Sequence, residues 1–131
     1  AKAGSYSPYS NFRVGAALLA PGGVIIKGAN IENSSYGGTI CAERTAMVKA
    51  ASENIREFVA LAVTSDVASP VSPCGICRQF VREFCALEMP VLLIPANYGN
   101  YGDGKGEILE TTLGDLLPHS FGPAELKLPR I

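Results

Sequence analysis

The chain has 131 residues, 47% hydrophobic and 18% charged, and its eleven basic and twelve acidic side chains leave a net charge of −1. That composition supports a buried core and excludes disorder, and the length suits one domain, taken as residues 1–131. Balanced charge without a Lys/Arg cluster speaks against a nucleic-acid partner, and the longest apolar runs, 58–63 and 90–95, are too short to cross a bilayer.

Taken in chain order, residues 14–19 and 24–29 are apolar runs separated by Pro21-Gly22-Gly23, which reads as an antiparallel hairpin. Residues 33–39 are rich in Ser and Gly and read as a loop. Residues 40–52 hold strong helix formers and few breakers, so a helix is expected there. The run 58–64 has strand length, and 65–73 is a loop. A second helix is expected over 74–87, with Ile76, Phe80, Val81 and Phe84 at helical spacing. Residues 90–95 read as a further core strand. Two continuous apolar strands alternating with helices suggest a parallel pair buried on both faces. A glycine-containing loop follows over 97–106, with Tyr98 and Tyr101 given no role. Residues 107–113 read as a short strand or edge, and the tail after Pro118 as irregular. No repeat or linker divides the chain.

Four cysteines are present, Cys41, Cys74, Cys77 and Cys85. Two disulfides are one reading of that number in a secreted chain. No stretch reads as a secretory signal, so a cytoplasmic location with reduced thiols is expected. Cys41-Ala42-Glu43 and Pro73-Cys74-Gly75-Ile76-Cys77 each lie where a loop enters a helix. The positive end of a helix dipole favours thiolate, the form that binds zinc. Three cysteines fall one short of a closed structural site, and a catalytic zinc keeps three protein ligands and one open position. Three thiolates would blunt the acidity of the metal, so a nearby cation is expected. Arg44 and Arg78 are candidates, and Arg44 is favoured, through a hydrogen bond to a ligand sulfur. Glu43, in the first helical turn, is placed to carry protons.

Taken singly, these features have plainer readings. Cys74 and Cys77 alone suit a redox pair or a structural metal site, and Glu43 alone suits a helix N-terminus. Asn30 and Glu32 alone suit a strand end, Phe12 and Phe121 a core, and Arg44 a solvated helix face. Cys85 reads as a small buried hydrophobe. His119, the lone histidine, reads as a surface or interface residue.

A Cys- or His-headed x-Glu pair followed by Pro-Cys-x-x-Cys is the signature of zinc deaminases. The sequence as a whole resembles the small, homotetrameric cytidine deaminases whose zinc ligands are all cysteines. Five segments carry the likeness, in family order over nearly the whole chain. They are Phe12-Arg13-Val14-Gly15-Ala16-Ala17, Asn30-Ile31-Glu32-Asn33, Cys41-Ala42-Glu43-Arg44-Thr45-Ala46, Pro73-Cys74-Gly75-Ile76-Cys77-Arg78-Gln79, and Leu116-Leu117-Pro118 with Ser120-Phe121-Gly122-Pro123.

The resemblance implies a three-layer α/β/α fold with a mixed central sheet. It also implies zinc-dependent hydrolytic deamination of cytidine and 2′-deoxycytidine in pyrimidine salvage, with one Zn2+ per chain. Cys41, Cys74 and Cys77 match the zinc ligands, and Glu43 the proton shuttle. Asn30 and Glu32 match the pair that holds the ribose 3′-hydroxyl, and Phe12 the aromatic that packs on the pyrimidine. Backbone groups near Ala42 and Ser72 match contacts to the base. In the family's tetramer Phe121 matches an aromatic supplied by a neighbouring subunit, and Tyr36 lies in a loop that meets such an interface. The helix that precedes this region in the family is reduced here to Ala1-Lys2-Ala3. Three rival enzymatic and binding readings are a deaminase for a modified cytosine nucleoside, a nucleotide or nucleic-acid deaminase, and a non-catalytic zinc module. A redox protein is the fourth.

Overall fold

The computed structural model describes residues 1–99 and 106–131. β1 (Val14–Leu19) and β2 (Ile25–Ala29) form the expected antiparallel hairpin. On its other edge β1 pairs antiparallel with β3 (Ala60–Ser65). β3 runs parallel to β4 (Pro90–Ile94), as the two apolar runs suggested, and β4 pairs antiparallel with β5 (Leu109–Thr112). The sheet is therefore mixed and ordered β2-β1-β3-β4-β5. The long crossover that a parallel pair requires carries the second helix.

α1 (Ala42–Ser52) leads from β2 to β3, and α2 (Gly75–Arg82) from β3 to β4. Both pack on one face of the sheet. Alternation along the strands turns Ala16, Leu18, Leu61, Val63, Val91 and Leu93 toward Ala46, Met47 and Ala50 of α1 and Val81 of α2, forming one buried cluster. Gly28 sets how closely α1 approaches, because a β-carbon there would run into the Ala46 nitrogen and the Ala42 carbonyl. The first turn of α1 thus lies directly on β2. The opposite face carries Ala17, Leu19, Ala62, Leu92 and Ile94, all half-buried. The 3-10 turn Lys2–Gly4 lies against it, with the Lys2 backbone over Gly15.

Three boundaries differ from expectation. α2 ends at Arg82 rather than near 87. The carbonyls of Leu87 and Met89 accept from Gly114 and Leu113 N–H, at 2.8 and 3.0 Å, so that stretch joins the β5 region instead of prolonging the helix. The strand expected over 107–113 gives way at its end to α3 (Leu113–Leu116), capped by Thr112 Oγ1, which accepts from Asp115 N–H at 3.1 Å. The tail expected to be irregular holds α4 (Pro123–Leu126). Pro123 opens that helix, and the Glu125 carboxylate accepts the Gly122 N–H at 2.7 Å. Most of the expected loop 97–106, with Tyr101, lies outside the described residues. Among the described residues no helix is long and apolar enough to cross a membrane.

Candidate active site

Cys41 is the N-cap of α1 and Cys74 the N-cap of α2, and both have extended backbone as the chain turns into its helix. Cys77 follows in the first turn of α2 and is fully buried. The two helix starts meet, and the sulfurs of Cys41, Cys74 and Cys77 all lie within 4.8 Å of one another. Cys41 and Cys74 are 3.8 Å apart, and both are free thiols. A disulfide would need about 2.05 Å. Thiolates bound about 2.3 Å from a tetrahedral zinc stand about 3.8 Å apart. The three residues therefore suit zinc in both donor chemistry and spacing. Cys85 lies away from this group, buried in the core, where burial pushes its thiol up to about 12.

The charges around the sulfurs are arranged to hold negative charge. Arg44 donates from Nη2 to Cys41 Sγ and from Nε to Cys77 Sγ, each at 3.4 Å. A hydrogen bond from Cys77, with help from Arg44, holds the Cys41 thiol down at about 5. The same contact, together with burial, drives Cys77 up. One of the two thiols thus ionises first, and a dication is what would let both ionise. Arg78, the other candidate cation, points elsewhere, to Pro73, Ser72 and Leu116.

Glu43 is 4% exposed in the first turn of α1. Burial raises its carboxyl, and the neighbouring Cys41 charge raises it further. A carboxyl so placed holds its proton more readily than an exposed glutamate does.

A cavity of about 190 Å³ opens on these groups. Phe12, Asn30, Cys41, Glu43, Ser65, Ser72 and Cys74 are among the residues that line it, so five separate stretches of chain converge there. The strand reading also overlooked Ser65, at the C-terminal end of β3, and Thr39, which line the same space. Position at a strand end was the available signal.

The remaining expected residues are distributed around that cavity. Asn30 is buried and ties the site together. Its Oδ1 accepts from Val14 N–H at 2.9 Å and from the Ser5 hydroxyl, while Nδ2 donates to the Phe12 carbonyl at 2.8 Å. Glu32 lies in an adjoining cavity with Tyr9, Ser10, Tyr36 and Thr39, and Thr39 lines both. Its carboxylate accepts from the Tyr9 and Ser10 N–H groups and the Ser10 hydroxyl, which lowers its pKa, the hydroxyl most. Tyr36 is 75% exposed and meets Tyr9 edge-on, with ring centres 5.7 Å apart. Ala42 is wholly buried beneath β2. Phe121 lies outside both cavities and is 59% exposed, its carbonyl accepting from Gln79 Nε2 at 3.1 Å. Arg13 grips Asp66 through Nε and Nη2, each at 3.0 Å, and Lys2 joins the same carboxylate at 3.0 Å. That cluster anchors the backbone next to Phe12.

Residues 1–93 match the family described as the cytidine and deoxycytidylate deaminase zinc-binding region. A cytidine deaminase from Sporosarcina psychrophila is 53% identical over 122 residues, which covers 93% of this chain and 84% of that protein. One from Mycobacterium tuberculosis is 37% identical over 130 residues, covering 99% of this chain and 88% of that protein. The crystal structure of a cytidine deaminase from Burkholderia pseudomallei is similar at a TM-score of 0.80 and 41% identity, over 92% of this chain and 90% of that one.

Proposed function

The chain belongs to the cytidine and deoxycytidylate deaminase family of zinc-dependent hydrolases, and from that premise we propose that it converts cytidine and 2′-deoxycytidine to uridine and 2′-deoxyuridine with release of ammonia. The observation that carries this reading is the group of three free sulfurs within 4.8 Å beside a buried Glu43. Cys41, Cys74 and Cys77 hold one zinc, which when bound supplies the Lewis acidity that makes water reactive near neutral pH.

The chain's own residues do the rest. Glu43 takes a proton from the attacking water and delivers it to ring N3. It then carries the second proton to the departing amine, so water adds at C4 and ammonia leaves. Arg44 offsets the charge of the thiolates so that they do not quench the metal. Phe12 packs against the pyrimidine, and backbone groups near Ala42 and Ser72 face the base. Asn30 spends Oδ1 on two donors and one Nδ2 hydrogen on Phe12, which leaves one N–H for a sugar hydroxyl. Glu32 retains a lone pair for the same hydroxyl after three hydrogen bonds.

The residues form one deaminase-like domain that assembles as a homotetramer, with Phe121 and Tyr36 completing neighbouring sites. Two features support this. Both residues are more than half exposed in the single chain, and Ile76 and Phe80 of α2 with Phe84 just beyond it line an open apolar groove. The enzyme acts in pyrimidine salvage in the cytoplasm. Substrate profiling tests the reading. Ammonia release from cytidine and deoxycytidine but not from deoxycytidylate supports it, whereas preference for the phosphorylated substrate or for a modified cytosine contradicts it.

A further inference from the structure

Cys74 is reached through a loop with few bonds of its own. From Asp66 to Cys74 the chain reads Val67-Ala68-Ser69-Pro70-Val71-Ser72-Pro73. Pro70 and Pro73 have no N–H to donate. The Val67 carbonyl accepts from Ala96 N–H at 2.9 Å. Beyond it, among the described residues, the hydrogen bonds that anchor residues 68–73 both come from one side chain. Arg78 donates from Nε to the Pro73 carbonyl and from Nη2 to Ser72 Oγ, each at 2.7 Å. Its Nη1 donates to the Leu116 carbonyl, also at 2.7 Å. That carbonyl lies at the end of α3, where helical backbone has no partner of its own.

The contrast among the three sulfurs sharpens the point. Cys77 is buried and Cys41 partly buried, whereas Cys74 is exposed. The most exposed of the three thiols follows directly on a loop whose residues 68–73 make no backbone–backbone hydrogen bond among the described residues. We propose that Arg78 is a positioning residue that clamps the 68–73 loop to α2 and α3, and so holds Cys74 in place for the metal. The inference rests on the reading of Cys74 as a zinc ligand. Only a planar fork can serve three acceptors that lie in different directions, and an ammonium at this position would keep the charge and lose the clamp.

The test uses the zinc-loaded protein and the rate at which zinc passes to a colorimetric chelator in excess. Arg78→Lys is compared with wild type, with Ser72→Ala, and with Arg82→Lys. Arg82 lies on the same helix but reaches Glu125 at 3.5 Å rather than the loop. Arg78→Lys speeds zinc loss roughly tenfold or more, the usual scale for residues that orient metal ligands. Ser72→Ala, which removes one acceptor, gives a smaller rise, and Arg82→Lys leaves the rate as in wild type. An unchanged rate in Arg78→Lys, or an equal rise in Arg82→Lys, overturns the clamp. Should Arg78→Lys fail to fold, Ser72→Ala decides, and an unchanged rate there overturns it. A wild-type protein that binds no zinc overturns the underlying ligand reading instead, which separates the two failures.

Discussion

Arg44, in the first turn of α1, donates from Nε to the sulfur of Cys77 in α2 at 3.4 Å. Its Nη2 reaches Cys41 at the same distance. One guanidinium therefore bridges two sulfurs that arrive from different helices, and it raises no competing claim on the third. Three thiolates and a dication sum to one negative charge, which Arg44 cancels.

Replacing Arg44 by Gln removes that cancellation while keeping some hydrogen-bonding capacity. Zinc affinity should drop roughly 10- to 100-fold. The rise of kcat with pH should shift to higher pH, because water beside a more negative metal site is less acidic. Metal titration and a pH–rate profile measure the two effects.

Glu43→Gln should keep the zinc and lose most turnover, by roughly 10²- to 10⁴-fold in kcat. Burial raises the Glu43 carboxyl above its ordinary value. In the metal-free protein the ionised base is therefore lost at a higher pH than in an exposed glutamate, and Glu43→Gln should remove that titration. Metal analysis beside the kinetics separates a lost proton carrier from a lost site.

Asn30 serves both stability and binding. Asn30→Ala leaves Val14 N–H and the Phe12 carbonyl without partners, at a cost of about 1–3 kcal/mol for each group that stays buried. A lower Tm together with a raised KM is expected. A raised KM at unchanged Tm would show that its hydrogen bonds to β1 contribute nothing to the fold.

Asp66 gives a pH prediction with a definite sign. Hydrogen bonds from Arg13 and Lys2 hold its carboxyl well below the usual carboxylate range. A group whose folded pKa is depressed stabilises the fold above its unfolded value, about 3.9, and loses that contribution as pH falls toward the folded one. Asp66→Asn should therefore lower Tm modestly at pH 7, and the gap from wild type should close as the pH drops below about 4. Thermal melts across that range check it.

The grouping of the three cysteines was legible in the sequence, and much of the site's mechanical support was not. Cys41, Glu43, Cys74 and Cys77 stand out because they lie at short spacing at the starts of two helices, which is a local property. The apolar runs placed β1 to β4 to within a few residues for the same reason, and 107–113, read as a short strand or edge, holds β5. Asn30 was legible as a polar residue after a strand, but its partners are backbone groups sixteen and eighteen positions away. Arg78 was weighed only for its charge, and its three acceptors come into reach only once α2 and α3 have packed. The end of α2 was misplaced because Phe84 continues the helical spacing, while the bonds that turn the chain away come from residues near 113. Ile76 shows the same limit. Its spacing matches a core position, yet it is 67% exposed.

Phe121→Ala tests the proposed assembly. The ring lines neither the cavity at the cysteines nor the one at Glu32, so its loss should raise KM if a neighbour's site uses it. An unaltered KM in an intact tetramer would remove Phe121 from substrate binding.

The most direct measurement of the whole account is the fall in ultraviolet absorbance when purified protein meets cytidine, recorded before and after zinc is removed by a chelator. Rapid loss that stops on chelation and returns with zinc is the predicted result. No loss from protein that still carries one zinc per chain, or loss that survives complete removal of the metal, would contradict it.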